Sequence, residues 1–520
     1  MATSQVTLAT PAETVLDLPA LAVPGASGSI YDPIEEVDAV ALFVERAASA
    51  GADVDAWGPD ELAAIANIVV ELDGMPLAVE LAAARARSMS LHEIAHGLQE
   101  RFDLLASGSR TAPERQRSLQ GALTWSLDLL DDAHGVAIRR LSVFVDGFDA
   151  AGAAAVIVAP PGTVRQVLAD LIDRSLVQRT RDVAGAARYR MLESLRQHGL
   201  VELADDLPTV RDRHLRHFAE LGSTSLAGLR GPGQALWLAR LDADYENLRT
   251  ALVRSLDGGD PAAGVRLAAG LAHYWDWRGR LRDAVDWIGR LVAASEPGTA
   301  GRPRLMGWQA YLAWELGDLE SARSLEDEAV AAGRSLDDPA ELALILSSSV
   351  LISRSTGDLA RAEAEAEEIR RLGGSAAEAW HVAWAESALA TIALTNERFD
   401  EAEELARASI TGYEDLGDEH AATWGRLSVA QVQLARGDLA VAERTARTAL
   451  ETSVRFDDDR SASWALELLA ERAHRRDESE RAARLLGAAH PFRESRGLTA
   501  SPSKRAAVDQ MGAALRERLG

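Results

Sequence analysis

The first strong pattern along the chain is a helical spacing of apolar positions through residues 35–110. Apolar side chains recur there every three or four residues, which is typical of amphipathic helices that bury one face. Gly74 suits the left-handed end of one helix, and Pro76 suits the first turn of the next, where the missing N–H costs nothing. The pattern predicts a helical subdomain with helices over residues 37–48, 60–72, 76–87 and 91–105.

A mixed pattern in residues 111–208 predicts a winged helix. Helical spacing covers residues 119–130, 133–144 and 163–174, and two strand-prone runs at 176–180 and 188–191 flank a turn that contains glycine. Asp131 and Asp132 precede the second helix, so we expect them to cap it rather than to bind magnesium.

The C-terminal part, residues 271–520, carries an internal repeat. Five alanines recur at intervals of 40, and glycine-aspartate turns precede most of them: Ala322, Ala362, Ala402, Ala442 and Ala482. A tight turn followed by a small residue, where two helices approach closely, indicates stacked helical hairpins that resemble long tetratricopeptide repeats. Residues 209–270 are predicted to form a helical connector. The predicted fold class is therefore mainly α, with one small β-hairpin in the winged helix.

Tryptophans follow the same register in the repeats. Trp384, Trp424 and Trp464 lie 40 residues apart. Their periodic placement predicts core packing rather than a ligand cage, with an inward-facing minority that lines the concave surface.

The composition restricts which binding partners and which cellular compartment we expect for this protein. The 80 acidic and 55 basic residues give a net charge of −25, which does not favour binding to nucleic acid. The chain has no cysteine, and residues 1–34 are irregular and rich in Pro, Gly and Ser, without the pattern of a signal peptide. We therefore expect a cytoplasmic protein with no membrane contact.

Lysine usage excludes one class of nucleotide site. The only lysine is Lys504, between Ser503 and Arg505, so no glycine-rich loop ending in Gly-Lys-Ser/Thr is present. The chain is predicted not to be an ordinary P-loop ATPase, nor an enzyme of another class.

One short motif points to different chemistry. His92, Glu93 and His96 fit the zinc-protease pattern His-Glu-x-x-His, in which two imidazoles on one helix face bind zinc and the glutamate activates water. Ile94 and Phe102 mark the apolar face of this helix, so both histidines fall on its polar side, and no third ligand stands out. We therefore predict no metal site, and the zinc metalloprotease remains a minor alternative.

Several stretches together resemble the STAND ATPases, the class that includes NB-ARC proteins and bacterial LuxR-type and SARP-type regulators. Gly74-Met75-Pro76 resembles the family's Gly-x-Pro motif, and Thr3-Ser4-Gln5 resembles its Thr-Ser-Arg, with glutamine in place of the arginine that senses phosphate. Further blocks resemble the same regulators, including residues 141–148, 171–177 and 188–193. The resemblance implies that Pro76 lies against a nucleotide, as a vestigial contact. It also implies that the winged helix is a regulatory lid, and that residues 1–34 are a remnant of the nucleotide-binding region.

Three functions follow from these patterns. The first is a sensor or scaffold in transcriptional signalling that binds a protein or small-molecule inducer through its repeats, without ATPase activity and without a cofactor unless a P-loop subdomain is supplied. In this hypothesis the reading frame starts inside a longer regulator. The alternative is a transcriptional regulator that contacts DNA through its own winged helix, although Asp170 and Asp173 balance Arg165 and Arg174 on the third helix. The third is the zinc hydrolase.

Overall fold

The structure is a computed structural model that describes residues 20–24, 37–54, 57–72, 74–100, 127, 130–174, 176–181, 185–373, 376–494 and 502–519. The chain divides into two compact units, Met1–His214 and Leu215–Gly520.

The first unit begins with the predicted helical subdomain. Its helices are α1 (Asp38–Ser49), α2 (Pro59–Glu71), α3 (Pro76–Ala83) with a 3₁₀ turn at Ala84–Arg87, and α4 (Leu91–Glu100). Phe43, Ile65 and Ile94 are fully buried and form part of its core. The buried faces of these helices are therefore the faces that the apolar spacing predicted.

Gly74 makes the joint between α2 and α3. Its φ is +62°, and a Cβ atom at this position would lie 2.2 Å from the carbonyl oxygen of Leu21. The amide of Leu21 donates a hydrogen bond to the Gly74 carbonyl at 3.0 Å. Only glycine fits both the left-handed backbone and this close approach.

The winged helix occupies the second part of this unit. Its elements are α5 (Asp132–Leu141), α6 (Ala150–Ile157), α7 (Pro161–Asp173), β1 (Val177–Arg181), β2 (Ala187–Met191) and α8 (Glu193–Leu203), followed by a 3₁₀ turn at Ala204–Asp206. The strands pair antiparallel, with Val177 opposite Met191. Asp131 caps α5 by accepting a hydrogen bond from the His134 amide at 2.9 Å, as predicted.

The structure differs from the sequence prediction at two places in this region. The predicted helix at 133–144 ends at Leu141. Helix α6 was not predicted, because its run of small apolar residues has no helical periodicity. The predicted helix at 119–130 lies almost entirely outside the described residues. Within the described part, no single helix has the length and apolar character to cross a membrane. The pair Ala150–Ile157 and Pro161–Asp173, bent by 104°, meets that test by length and composition only.

The second unit is a series of antiparallel helical hairpins. After α9 (Leu207–Leu229), its helices are α10 (Gln234–Ala243), α11 (Tyr245–Leu256), α12 (Pro261–Trp277), α13 (Leu281–Ala294), α14 (Arg302–Glu315), α15 (Leu319–Arg334), α16 (Pro339–Ser355), α17 (Leu359–Leu372), α18 (Ala376–Thr395), α19 (Phe399–Asp415), α20 (Glu419–Arg436), α21 (Leu439–Arg455), α22 (Asp459–Arg475), α23 (Ser479–Glu494) and α24 (Pro502–Leu519).

The 40-residue period is confirmed in the packing of these hairpins. Its five alanines, which we call the alanine seam, each lie on the second helix of a pair and are all at most 1% exposed: Ala322, Ala362, Ala402, Ala442 and Ala482. The turn before each second helix needs a left-handed residue, which is glycine at Gly317 (φ +85°). Glu397 (φ +58°) and Asp477 (φ +59°) adopt the same conformation without glycine, so the turn is kept where the sequence motif is imperfect.

Candidate ligand-binding cavity

The first helices of successive hairpins line an open cavity of about 710 Å³ within the second unit, which we call the central cavity. In three of these helices the same four positions line it: Arg304, Trp308, Tyr311 and Glu315 in α14; Leu344, Ser348, Leu351 and Ser355 in α16; Trp384, Ala388, Thr391 and Thr395 in α18. These positions are spaced by four, three and four residues, so they form one face of each helix. The hairpins therefore present equivalent faces to a common space.

Tryptophan dominates the wall of this cavity. Seven of the chain's twelve tryptophans line it: Trp277, Trp308, Trp314, Trp380, Trp384, Trp424 and Trp464. Trp384, Trp424 and Trp464 also pack against buried clusters behind them, so their rings belong both to the core and to the cavity wall. The expectation that only a minority of tryptophans face inward was wrong. The 40-residue spacing could not distinguish the two sides of a large ring.

A partly buried arginine is stacked on a tryptophan ring at one part of the wall. The guanidinium carbon of Arg230 lies 3.6 Å from the ring centroid of Trp380. Its terminal nitrogens lie 3.1 Å from Nε2 of His273 and 3.1 Å from Nε2 of His381. Among the described residues no carboxylate forms a salt bridge with it, and burial lowers the pKa of Arg230 to about 9.

The two histidines in this cluster are neutral. A guanidinium only donates hydrogen bonds, so each imidazole must accept at Nε2 and carry its proton on Nδ1. Burial, together with the nearby charge of Arg230, lowers the pKa of His273 and His381 well below the usual value. His273 also makes edge contacts with Trp308 and Trp380, at centroid distances of 4.9 and 6.3 Å. The cluster is therefore a rigid positive group inside an aromatic wall.

A second arginine joins distant hairpins across the cavity. Arg460, at the start of α22, lies 2.8 Å from Asp276 in α12 and 3.3 Å from Glu315 in α14. It also donates a hydrogen bond to the hydroxyl of Tyr311. These contacts connect residues up to 184 positions apart and hold the far end of the array against its beginning.

The remaining two arginines of the wall differ in their partners. Arg304 pairs with the carboxylate of Glu341, which accepts from its Nε at 2.8 Å. Arg354, in the last turn of α16, makes no salt bridge or side-chain hydrogen bond within the described part of the chain, and burial alone lowers its pKa. The guanidinium of Arg354 is therefore a cation on the cavity wall without a described counter-ion.

The residues that the sequence suggested for nucleotide or metal chemistry lie in the first unit, outside this cavity. Pro76 is exposed at the start of α3, and its contact with a nucleotide stays a prediction. His92 is exposed, as predicted for the polar side of α4, and Ile94 is fully buried. Gln5 and the side chain of His96 lie outside the described residues.

Glu93 has a structural partner of its own. Its carboxylate accepts hydrogen bonds from the amide and the hydroxyl of Ser90, both at 2.8 Å, and the Glu93 amide donates to the Ser90 hydroxyl at 3.2 Å. This is a capping box at the start of α4. No group of three or more potential metal ligands occurs among the residues that the structure describes.

The hairpin of the winged helix carries four arginines, and three of them are exposed: Arg179 and Arg181 on β1 and Arg190 on β2. Arg188 on β2 is 8% exposed and has interaction partners. On α7, the carboxylate of Asp170 accepts from Gln166 at 2.8 Å and lies 3.1 Å from Nε2 of His134. Arg165 is the exposed cation on that helix.

Sequence reasoning found three of the cavity tryptophans but missed the cavity's arginines. Arg230 lies in a loop outside the repeats, and nothing in the local sequence marks it. Arg354 carried a weak signal, because the equivalent positions are Trp314 one repeat before and Leu394, Leu434 and His474 in the three repeats after. Three of the four other repeats therefore have an apolar residue where this one has arginine.

Comparison with known proteins matches residues 130–201 to a family described as a winged helix-turn-helix domain. Over 318 residues the chain is 35% identical to a protein of Mycobacterium tuberculosis (strain H37Rv) named "Putative HTH-type transcriptional regulator", covering 59% of this chain and 36% of that protein. It is 26% identical over 438 residues to the regulatory protein AfsR of Streptomyces coelicolor, covering 79% of this chain and 39% of AfsR. The chain thus spans well under half the length of these two relatives.

A solved structure also resembles the chain. It is a STAND protein with a tetratricopeptide repeat sensor from Pyrococcus horikoshii, with a TM-score of 0.45 and 13% identity, covering 89% of this chain and 66% of that one.

Proposed function

We propose that this protein acts in transcriptional regulation as the sensory part of a regulator, and that its central cavity binds a small effector molecule. The names of the similar proteins and the winged helix-turn-helix match support a regulatory role. Because the chain spans only part of these proteins, the activity of a complete regulator is part of the proposal.

The observation that carries the proposal is the aromatic cavity. Its volume of about 710 Å³ falls in the range of roughly 300–1,000 Å³ that is typical of small-molecule sites. Aromatic walls with a few fixed polar groups are the usual composition of such sites. Arg230, with its two histidines, and Arg460, with Asp276 and Glu315, are polar groups held by several contacts each. Such groups orient a ligand without first having to be ordered themselves.

Nucleotide chemistry is not assigned to this chain. Its only lysine, Lys504, is not part of a phosphate-binding loop. We propose that any nucleotide response requires a P-loop subdomain, which Pro76 would then contact.

The test measures thermal unfolding of the full chain with the small-molecule fraction of a cell extract. A ligand that binds only the folded state raises the melting temperature by mass action. The variant Thr391→Trp places a bulky ring at the position where α14 has Tyr311, and should abolish the rise by filling the cavity. Thr411→Trp, at an exposed site on α19, is the matched control.

A rise in the control but not in Thr391→Trp supports the proposal. No rise in the unmodified chain, or an equal rise in both variants, contradicts it.

Direct DNA contact through the winged helix is the second candidate function. The family match over residues 130–201 favours it, and so do the exposed arginines Arg165, Arg179 and Arg181. Fluorescence anisotropy with duplex DNA at physiological salt distinguishes the two candidates. Sequence-selective binding that is lost in Arg179→Ala with Arg181→Ala would establish DNA recognition. Weak binding that is equal for all sequences would leave the winged helix with a packing role.

A further inference from the structure

We propose that the effector of the central cavity is a small organic acid, with a carboxylate that pairs with Arg354 and a flat apolar body that packs against the tryptophan wall. This inference rests on the proposed function of the cavity and specifies the chemical class of its ligand.

The first argument is the unusual setting of Arg354. It lines the cavity and is partly buried, and its guanidinium has no salt bridge or side-chain hydrogen bond among the described residues. A partly buried cation without a counter-ion is unfavourable unless something neutralises it. Neighbouring repeats place Trp314, Leu394 and Leu434 at this position, so the hairpin does not require arginine here. A ligand anion accounts for a charge that the fold does not need.

The second argument is the charge balance of the wall. Its arginines are Arg230, Arg304, Arg354 and Arg460, and its acids are Asp276, Glu315 and Glu467. Arg460 engages Asp276 and Glu315, and Glu341 engages Arg304 from outside the lining. Glu467 has interactions of its own, including a contact of 3.4 Å from the Ser463 hydroxyl.

Two cations are left without a bound carboxylate. Arg230 is stacked on Trp380 and bonded to two neutral histidines, and Asp418 acts on its charge only from a longer range. That aspartate is itself held by the Trp380 indole N–H at 2.9 Å. The guanidinium of Arg354 has no salt bridge and no side-chain hydrogen bond among the described residues. The anion of a ligand is therefore expected to lie at Arg354.

The third argument selects a carboxylate over a phosphate. Arg354 lies in the last turn of α16, where the carbonyl end of the helix carries partial negative charge. One guanidinium matches one carboxylate in a two-bond arrangement, whereas a dianionic phosphate would meet the negative end of the helix with a single cation. The aromatic rings on the wall favour a flat apolar body for the rest of the ligand.

The experiment uses the full chain and matched pairs of small aromatic compounds that differ only in the polar group. Phenylacetate and indole-3-acetate are compared with their neutral amides and with phenyl phosphate, and binding is measured by isothermal titration calorimetry. Each acid should bind about 10- to 100-fold more tightly than its amide, which is the effect of one charge-assisted pair. Tighter binding of phenyl phosphate than of either acid would overturn the choice of carboxylate.

Arg354→Leu is the decisive variant, because Leu394 and Leu434 show that the register accepts leucine. It should remove the preference for acids and leave the melting temperature of the free protein equal or higher, which shows that it still folds. Arg444→Leu, at an exposed site on the second helix α21, should keep the preference. Equal affinities for acid and amide, or a preference that survives Arg354→Leu, would overturn the inference.

The extract experiment separates this inference from the proposed function. A melting shift with extract that depends on the cavity, combined with no preference for acids, refutes only the ligand class. No melting shift with extract and no binding of the acids refutes both.

Discussion

The two sides of the repeat hairpins use the same 40-residue period in opposite ways. On the second helices the period repeats one residue type, the alanine seam, and every member is buried. On the first helices one register changes from Arg304 to Leu344 and then keeps tryptophan in three repeats, at Trp384, Trp424 and Trp464, and all five residues line the central cavity.

This difference separates positions at which helix packing fixes the residue type from positions at which it does not. A close helix contact leaves room for a methyl group, so geometry dictates alanine at the seam. A cavity wall has no such limit, and its side chains are free to differ from repeat to repeat. Alanine in every repeat therefore marks a close helix contact, whereas a register that lines the cavity accepts side chains of different size and charge, such as Arg304, Leu344 and Trp384.

The largest effect is expected from overpacking the seam. Ala402→Trp inserts a large ring where the native side chain is fully buried between helices, and it should lower the free energy of unfolding by about 1–3 kcal/mol. Urea denaturation of the full chain measures this change. Thr411→Trp lies on the same helix at an exposed site and should leave stability nearly unchanged. Equal stability of the two variants would mean that the seam is not a packing contact.

An acidic residue lies one helical turn after Ala322 of the alanine seam and gives a pH-dependent test. Glu326 is 2% exposed and stands where later repeats have Ala366, Ala406 and Ala446. Burial, with a smaller contribution from the charge of Glu365, raises its pKa to about 8. This carboxyl is protonated in the folded chain but ionised in the unfolded chain between about pH 5 and 8. Its raised pKa therefore lowers stability as the pH rises through that window.

Glu326→Ala should remove this loss of stability at rising pH. Relative to the unmodified chain, it should gain on the order of 1–2 kcal/mol between pH 5 and pH 8. The free energy of unfolding at both pH values is the measurement, and Glu320→Ala, an exposed residue on the same helix, is the control. A pH slope that is the same with and without Glu326 would show that its carboxyl titrates normally.

A smaller effect is expected on the cavity side. Arg460→Ala leaves Asp276 and Glu315 without their shared partner, and should cost about 1 kcal/mol because the arginine side chain is 39% exposed. Tryptophan emission should also change, because the cavity wall loses a contact that joins α22 to α12 and α14. Arg455→Ala, which breaks an exposed ion pair with Glu419, is the control. An unchanged emission spectrum in Arg460→Ala would show that the cavity does not depend on this contact.

The smallest effect is expected in the first unit, at Pro76. The residue is exposed in the first turn of α3, so Pro76→Ala should change stability by less than about 0.5 kcal/mol. Neither the unmodified chain nor the variant should release phosphate from ATP, since Lys504 is the only lysine. Phosphate release that the variant abolishes would overturn the proposal that the chain has no ATPase activity.

The sequence predicted most of the helices because their signals are local. Apolar spacing located α1 to α4, Asp131 marked the start of α5, and the alanine period located the hairpins. α6 was missed because small apolar residues carry no period, and tertiary packing decides their conformation.

The cavity could not be predicted in the same way. Arg460 meets Asp276 across 184 residues, and Arg230 meets His381 across 151. These contacts depend on how the hairpins stack, and no local sequence pattern encodes that stacking. The register could have placed Trp384 on an inner face, but not in the same cavity as Trp277.

The contact of Arg460 with Asp276 also has a consequence for the order of folding. Seam contacts join helices that are neighbours in sequence, so they form with little loss of chain entropy and early in synthesis. The contact of Arg460 with α12 joins two ends of a long segment and forms only after the intervening hairpins have stacked. A nascent chain that ends before residue 460 therefore has ordered hairpins but an incomplete cavity. The central cavity is therefore complete only when α22 has emerged.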